Sequence, residues 1–168
     1  MNVNTLHKIS YGLYVVTSTK GNSVNGQIAN TAFQITSEPP TLAVSINKEN
    51  LTHEFIKESG SLVVNILDIN TEMIFIGRFG FKSGREIDKF EGIKYHQSNK
   101  GNPILEENSV GYLEVAVYKD VDVGTHTIFI GEVVNGDILT QGDPMTYSHY
   151  HLVKKGKAPK TAPTYIKE

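Results

Sequence analysis

Cysteine is absent from the 168 residues. Disulfides, thiolate nucleophiles, iron–sulfur clusters and Cys-ligated zinc are excluded together. Any redox chemistry must come from a bound organic cofactor, haem, or a His/carboxylate metal site. A dominant charge of one sign is also missing: 16 Lys+Arg stand against 18 Asp+Glu, a formal net charge of −2. Such a chain has no global pull toward nucleic acid or an anionic membrane, although local basic patches stay open. No stretch approaches the ~18–20 apolar residues of a membrane span. Met1–Lys8 carries no apolar core of signal-peptide length. The expectation is a soluble, cytoplasmic protein with neither nucleic acid nor membrane as partner. In that setting the sequon Asn50-Leu51-Thr52 has no meaning. A chain of 168 residues fits one domain. It is long enough to bury roughly two-thirds of its unfolded surface without staples.

What is present reads as strands joined by tight turns. Leu13–Thr19 is a β-branched run ending at Lys20-Gly21-Asn22, with Val24–Ala29 as its hairpin partner. Thr41–Ile46 follows the Pro39-Pro40 break, and Ser61–Leu67 is opened by Gly60. Gly111–Tyr118 alternates well, Thr125–Val134 less cleanly, and Tyr147–Val153 is the last strand expected. Two segments predict helices. Leu51–Ser59 follows a capping Asn50 and meets Gly60 where a C-cap glycine belongs. Thr71–Phe79 follows Asn70, with Glu72 in its first turn. Ser83–Asn102 is polar and turn-rich, too long for a bland connection. From Lys154 onward basic residues and prolines replace apolar ones, so residues 156–168 read as a tail on a domain of residues 1–155. Strands without a βαβ rhythm argue for an antiparallel barrel.

Five segments carry candidate chemistry. Gly26-Gln27-Ile28-Ala29-Asn30-Thr31 offers two amides that donate and accept, an Ala29 small enough to admit a flat ring, and a hydroxyl suited to phosphate. A strand end facing water would read the same way. Ser45-Ile46-Asn47-Lys48 runs through Asn50 to Thr52-His53, a strand end entering a helix N-terminus where free N–H groups hold anions. A simply capped helix is the alternative. Phe81-Lys82-Ser83-Gly84-Arg85, with Asp88-Lys89-Phe90, sets small residues beside cations, either a phosphate cradle or a salt-bridged surface loop. Gly124-Thr125-His126-Thr127 puts an imidazole at the mouth of an apolar strand, at a pocket rim or in a structural role. His149-Tyr150-His151 would share one strand face, but no third ligand stands at a suitable spacing, and no metal site is assigned.

Taken together these segments resemble the flavin reductase-like, FMN-binding split-barrel family, most nearly its ferric reductase and flavoredoxin branch and the flavin domain of high-molecular-weight rubredoxin. The likeness rests on residues 26–34, Ser45-Ile46-Asn47-Lys48, Thr52-His53-Glu54, Ser83-Gly84-Arg85 with Asp88-Lys89-Phe90, and Gly124-Thr125-His126-Thr127 with Ile130-Gly131-Glu132. They run in the family's order over about residues 3–155. The resemblance implies a mainly β chain with peripheral helices, folded as a six-stranded antiparallel Greek-key split barrel, and a homodimer with FMN near the interface. By carry-over, Gln27, Ile28, Ala29, Asn30 and Thr31 would line the flavin, and Ser45, Ile46 and Asn47 would flank its ring. Thr52, Ser83, Gly84, Arg85 and Lys89 would serve the phosphate region. His126 would be the catalytic residue, meeting the nicotinamide or tuning N5, while Tyr150 and His151 match positions near the last strand. The implied activity passes electrons from NADH or NADPH through FMN to rubredoxin, ferric iron, free flavin or a diiron protein. The alternatives are an FMN electron carrier with no NAD(P)H activity of its own, and a module binding haem or another flat ring. Without cysteine there is no Fe(Cys)4 centre in these residues, so an iron-centred acceptor is expected to be separate.

Overall fold

The computed structural model describes residues 2–165. A 3-10 turn at Val3–Lys8 precedes β1 (Tyr14–Lys20), which turns back at Gly21 (φ 56°) into β2 (Ser23–Ala29), with Tyr14 opposite Ala29. β3 (Ala32–Ser37) and β4 (Pro40–Asn47) form a second hairpin around a cis Glu38-Pro39 bond. Helix α1 (Leu51–Ser59) leads to β5 (Ser61–Leu67), and helix α2 (Met73–Phe81) follows. A short ribbon pairs β6 (Tyr95–Gln97) with β7 (Pro103–Leu105). The long strands β8 (Ser109–Asp122) and β9 (His126–Ile138) come next, then helix α3 (Tyr147–Leu152).

The main sheet has the order β2-β1-β5-β8-β9-β4-β3 with every pairing antiparallel. One core takes Val16 and Ala29 from one end of that order, Val44 and Ile46 from the other, and Val64, Val115 and Phe129 from between. Side chains so far apart along a sheet share one interior only if the sheet wraps around it. Its end strands, β2 and β3, are not bonded to each other, so the barrel stays split. Ile56 brings α1 into this core. A second core lies outside the barrel, where Phe75, Ile76 and Phe79 of α2 meet Val15, Leu67, Phe90, Leu105 and Tyr150. Neighbouring Val15 and Val16 point to opposite faces, one into each core. That is why Leu13–Val16, at the start of the β-branched run, is continuously apolar rather than alternating.

Three expectations need correction. The main sheet has seven strands, not six: β3 is an edge strand, largely exposed along its length, and offers no burial alternation to read. The polar stretch Ser83–Asn102 contains β6. Tyr147–Val153 is not a strand but helix α3, started by Thr146, whose Oγ1 accepts from the His149 amide at 3.1 Å. On a helix, residues two apart lie roughly 200° from each other, so His149 and His151 do not share a face. Residues 156–165 carry neither helix nor strand and lie back against the domain, and residues 166–168 of the expected tail lie outside the described residues.

Candidate functional site

Where the ends of β2 and β4 meet the start of α1, a cavity of about 290 Å³ opens. Strand periodicity builds two of its walls. On β2, Asn25, Gln27 and Ala29 share a face toward it, joined by Ile28 and Asn30 at the strand's end. On β4, Ser45 and Asn47 face it, while Ile46 between them is fully buried in the barrel core. Asn47 stands opposite His126 across the β4–β9 pairing, so the two side chains sit together. Phe79, Gly80 and Phe81 supply an apolar wall from the end of α2.

The third wall is polar. The Asn47 Oδ1 accepts from the Glu49 amide at 2.9 Å, which turns the chain into α1. The N-cap Asn50 makes no side-chain capping bond, and Asn50, Leu51 and Thr52 all line the cavity. The first amides of α1 therefore open onto it with the positive end of the helix dipole. Opposite them runs Lys82-Ser83-Gly84. A side chain at Gly84 would collide with Asn25 Oδ1 and crowd Leu51, so only glycine lets this loop approach so closely. Asn25 is fixed in turn by donating to Thr52 Oγ1 at 2.9 Å.

Two buried groups on the cavity lining keep unused hydrogen-bonding capacity. Lys89 is 5% exposed and donates to the carbonyls of Gly26 (2.9 Å) and Phe79 (3.1 Å). Burial pushes its pKa down to about 8, so it remains mostly charged at pH 7. An ammonium has three N–H groups, and one is left over. Gln27 Oε1 is buried without a hydrogen-bond partner. Its amide nitrogen reaches only the Ile28 carbonyl, at 3.5 Å. An unpaired buried carbonyl costs about 1–3 kcal/mol unless a donor arrives. Lining cations outnumber anions, with Lys82, Lys89 and Lys160 against Glu49.

His126 sits at the rim, following Gly124 (φ 91°). Its Nδ1 lies 2.8 Å from Thr125 Oγ1, and its Nε2 lies 3.2 Å from the Thr161 carbonyl. A carbonyl only accepts, so Nε2 carries the proton. Desolvation holds this imidazole below its ordinary pKa, against an opposing pull from the Thr161 carbonyl.

Of the residues predicted from sequence, Gln27, Ile28, Ala29, Asn30, Ser45, Asn47, Thr52, Ser83, Gly84, Lys89 and His126 come together on this cavity. Ile46, Thr31 and Arg85 are not on its wall. Ile46 points the other way along the strand. Thr31 gives its hydroxyl to Asn30 Oδ1 at 3.0 Å. Arg85 turns outward to an exposed ion pair with Glu54, whose carboxyl it holds below the usual range. Sequence reasoning missed Asn25, although it lies two residues before Gln27 on the same strand face. It also missed Pro159–Pro163, which close one side of the cavity. Among the described residues no cluster of three metal-ligating side chains occurs, and no helix is long and apolar enough to cross a membrane.

Comparison with known proteins agrees with this architecture. The family described as "Flavin reductase like domain" matches residues 6–155. The chain is 54% identical over 165 residues to a high molecular weight rubredoxin of Moorella thermoacetica, covering 98% of this chain and 72% of that one. It is 49% identical over 166 residues to a ferric-chelate reductase (NAD(P)H) of Archaeoglobus fulgidus, covering 99% and 98%. Among solved structures, the flavin reductase HpaC complexed with NADP+ superposes with a TM-score of 0.74 at 29% identity, covering 86% of this chain and 89% of that one. On the span of the match and the identity to full-length relatives, the chain belongs to the flavin reductase-like domain family.

Proposed function

We propose that this chain is an FMN-dependent oxidoreductase that takes electrons from NADH or NADPH and passes them to ferric iron, free flavin, rubredoxin or a diiron protein. The observation that carries this reading is the donor set of one cavity. An unpartnered Gln27 Oε1, the buried Lys89 ammonium and the open N-terminus of α1 face the same space beside Phe79 and Phe81. That set fits a ligand combining a flat ring, N–H or O–H groups to donate, and a phosphate. The ferric-chelate reductase (NAD(P)H) relative, alike over nearly its whole length, supports the nucleotide donor, and the high molecular weight rubredoxin supports an iron-centred acceptor.

When bound, FMN supplies hydride acceptance at N5 and electron release in one- or two-electron steps. The chain supplies placement and charge. Gln27 accepts an N–H or hydroxyl of the ligand. Thr52, Ser83 and the amides of the α1 N-terminus hold phosphate. Lys89 would hold a positive charge on the cavity wall, for the phosphate or for the negative charge of a reduced flavin. Ser45 and Asn47 flank the ring, and neutral His126 offers Nε2–H to the carboxamide of the nucleotide. The chain works as a homodimer, since the edge strand β3 leaves Phe33 (56%) and Ile35 (46%) exposed. A cytoplasmic setting goes with NADH or NADPH as reductant.

One observation favours the carrier reading: the Thr161 carbonyl already occupies the donors of Asn47 and His126. An anaerobic titration of the FMN-loaded protein with NADH and NADPH, followed at the flavin absorbance band, decides between the two. Bleaching by either nucleotide is expected. No bleaching by either, with reduction by dithionite intact, would leave the carrier.

A further inference from the structure

Two side chains of the site converge on a single oxygen that belongs to the chain's own C-terminal segment. Asn47 Nδ2 and His126 Nε2 each donate to the Thr161 carbonyl at 3.2 Å. The two residues are register partners on β4 and β9, so this is a paired clamp for one carbonyl. The Thr161 carbonyl is an amide carbonyl, the same acceptor that a nicotinamide carboxamide presents. We propose that Pro159–Pro163 is an intramolecular competitor of the hydride donor, lying in the clamp at rest and leaving it when the nucleotide binds. This inference rests on the reductase reading above.

The segment is built as a strap with a firm root and a releasable middle. At the root, Gly156 is buried against the Tyr150 ring, where a side chain would collide. Its carbonyl faces His151 Nδ1 at 2.7 Å, its amide donates to the Tyr150 carbonyl at 2.9 Å, and the Tyr150 hydroxyl donates to the Lys157 carbonyl at 2.9 Å. Beyond the clamp, Thr164 Oγ1 accepts from Asn30 at 2.9 Å and lies 2.6 Å from the Tyr147 hydroxyl. Between these ties the strap is held to the clamp only by the two longer bonds to Thr161. Pro159 and Pro163 bracket that residue, and the Ala162 amide closes a turn onto the Pro159 carbonyl at 2.9 Å. A stiffened segment gives up less entropy each time it returns.

A competitor of this kind reduces the apparent affinity for the nucleotide by the fraction of time the clamp is free. Thr164 lies outside the cavity lining, and Thr164→Val removes the hydroxyl ties of the strap's far end without touching the clamp. In stopped-flow reduction of the FMN-loaded full chain, Thr164→Val is expected to lower the apparent Kd for NADH or NADPH by roughly three- to tenfold. The limiting rate should be unchanged, and Thr164→Ser should behave as the native chain. Trypsin supplies a readout independent of turnover: adding NAD+ or NADP+ to the native FMN-loaded protein should speed cleavage after Lys160. An unchanged nucleotide dependence in Thr164→Val would overturn the proposal. So would slower tryptic cleavage with nucleotide, or FMN loss in place of tighter nucleotide binding, either of which makes the strap a fixed wall. Failure of both nucleotides to bleach native and variant alike would instead overturn the reductase reading, and this inference with it.

Discussion

Replacing Lys89 by methionine tests the cavity's electrostatics without any assumption about turnover. The ordinary lysine value is 10.5 and burial brings it to about 8. That interval corresponds to about 3 kcal/mol of penalty against the charged form in the fold. The sign follows from proton counting. Between pH 8 and 10.5 the unfolded chain holds this proton and the native chain does not, so stability rises with pH across that window. Between pH 7.5 and 9.5 this one group should add about 2 kcal/mol, or a melting temperature higher by roughly 4–8 °C. The window stops short of the buried tyrosines. Tyr14, Tyr147 and Tyr150 are held above 10 mainly by burial and act in the opposite direction at higher pH. Thermal or urea unfolding of the cofactor-free protein at pH 7.5 and 9.5 gives the measurement. The methionine variant leaves the carbonyls of Gly26 and Phe79 without the amine, so its absolute stability shifts at every pH. The pH response is therefore the quantity to compare. Loss of the rise in Lys89→Met supports a buried ammonium at the site. Equal pH responses in both proteins would refute it.

Arg85→Ala should weaken FMN and riboflavin equally and little, because its guanidinium is spent on Glu54 outside the cavity; a loss confined to FMN in fluorescence titrations would return Arg85 to the phosphate. His126→Ala should slow flavin reduction by NADH or NADPH on the order of 10- to 100-fold, with the melting temperature little changed. A lower melting temperature with an unchanged rate would make this histidine structural. Light scattering should find a dimer, and Phe33→Glu should shift it toward monomer by placing a charge on the exposed face of β3; an unaltered dimer would put the interface elsewhere.

What the sequence disclosed about this molecule was what is encoded locally. Gly60 ends α1 in the left-handed region (φ 64°), donating to the Ile56 carbonyl, and both the glycine and the spacing before it announce that stop. The barrel strands β1, β4 and β5 are buried enough to read as apolar runs. β3 is bonded on one side and exposed along nearly its whole length, so the Phe33-Gln34-Ile35-Thr36 alternation marks no buried face. Tyr147–Leu152 is too short for a helical period to outweigh its aromatic, strand-like composition, and its start depends on one threonine hydroxyl.

The site divides along the same line. Ser45 and Asn47 share a face because strands have a period of two, and that same period sends Ile46 into the core, so grouping all three by adjacency lost information the sequence held. The tail differs in kind. Apart from the Gly156 amide and the Thr164 hydroxyl, its contacts use the backbone carbonyls of Gly156, Lys157 and Thr161, met by His151, Tyr150, Asn47 and His126. A carbonyl is present at every residue, so nothing in Lys-Ala-Pro-Lys-Thr-Ala-Pro distinguishes a bound strap from a solvated linker. The information sits in the partners, up to 114 residues away, whose side chains present donors with no other protein acceptor for them. Polar side chains at a strand end therefore have two readings, a ligand's contacts or the chain's own, and only geometry separates them. Here Asn47 and His126 are engaged by the chain itself while Gln27 Oε1 is not, which makes Gln27 the group whose hydrogen bond a ligand must complete.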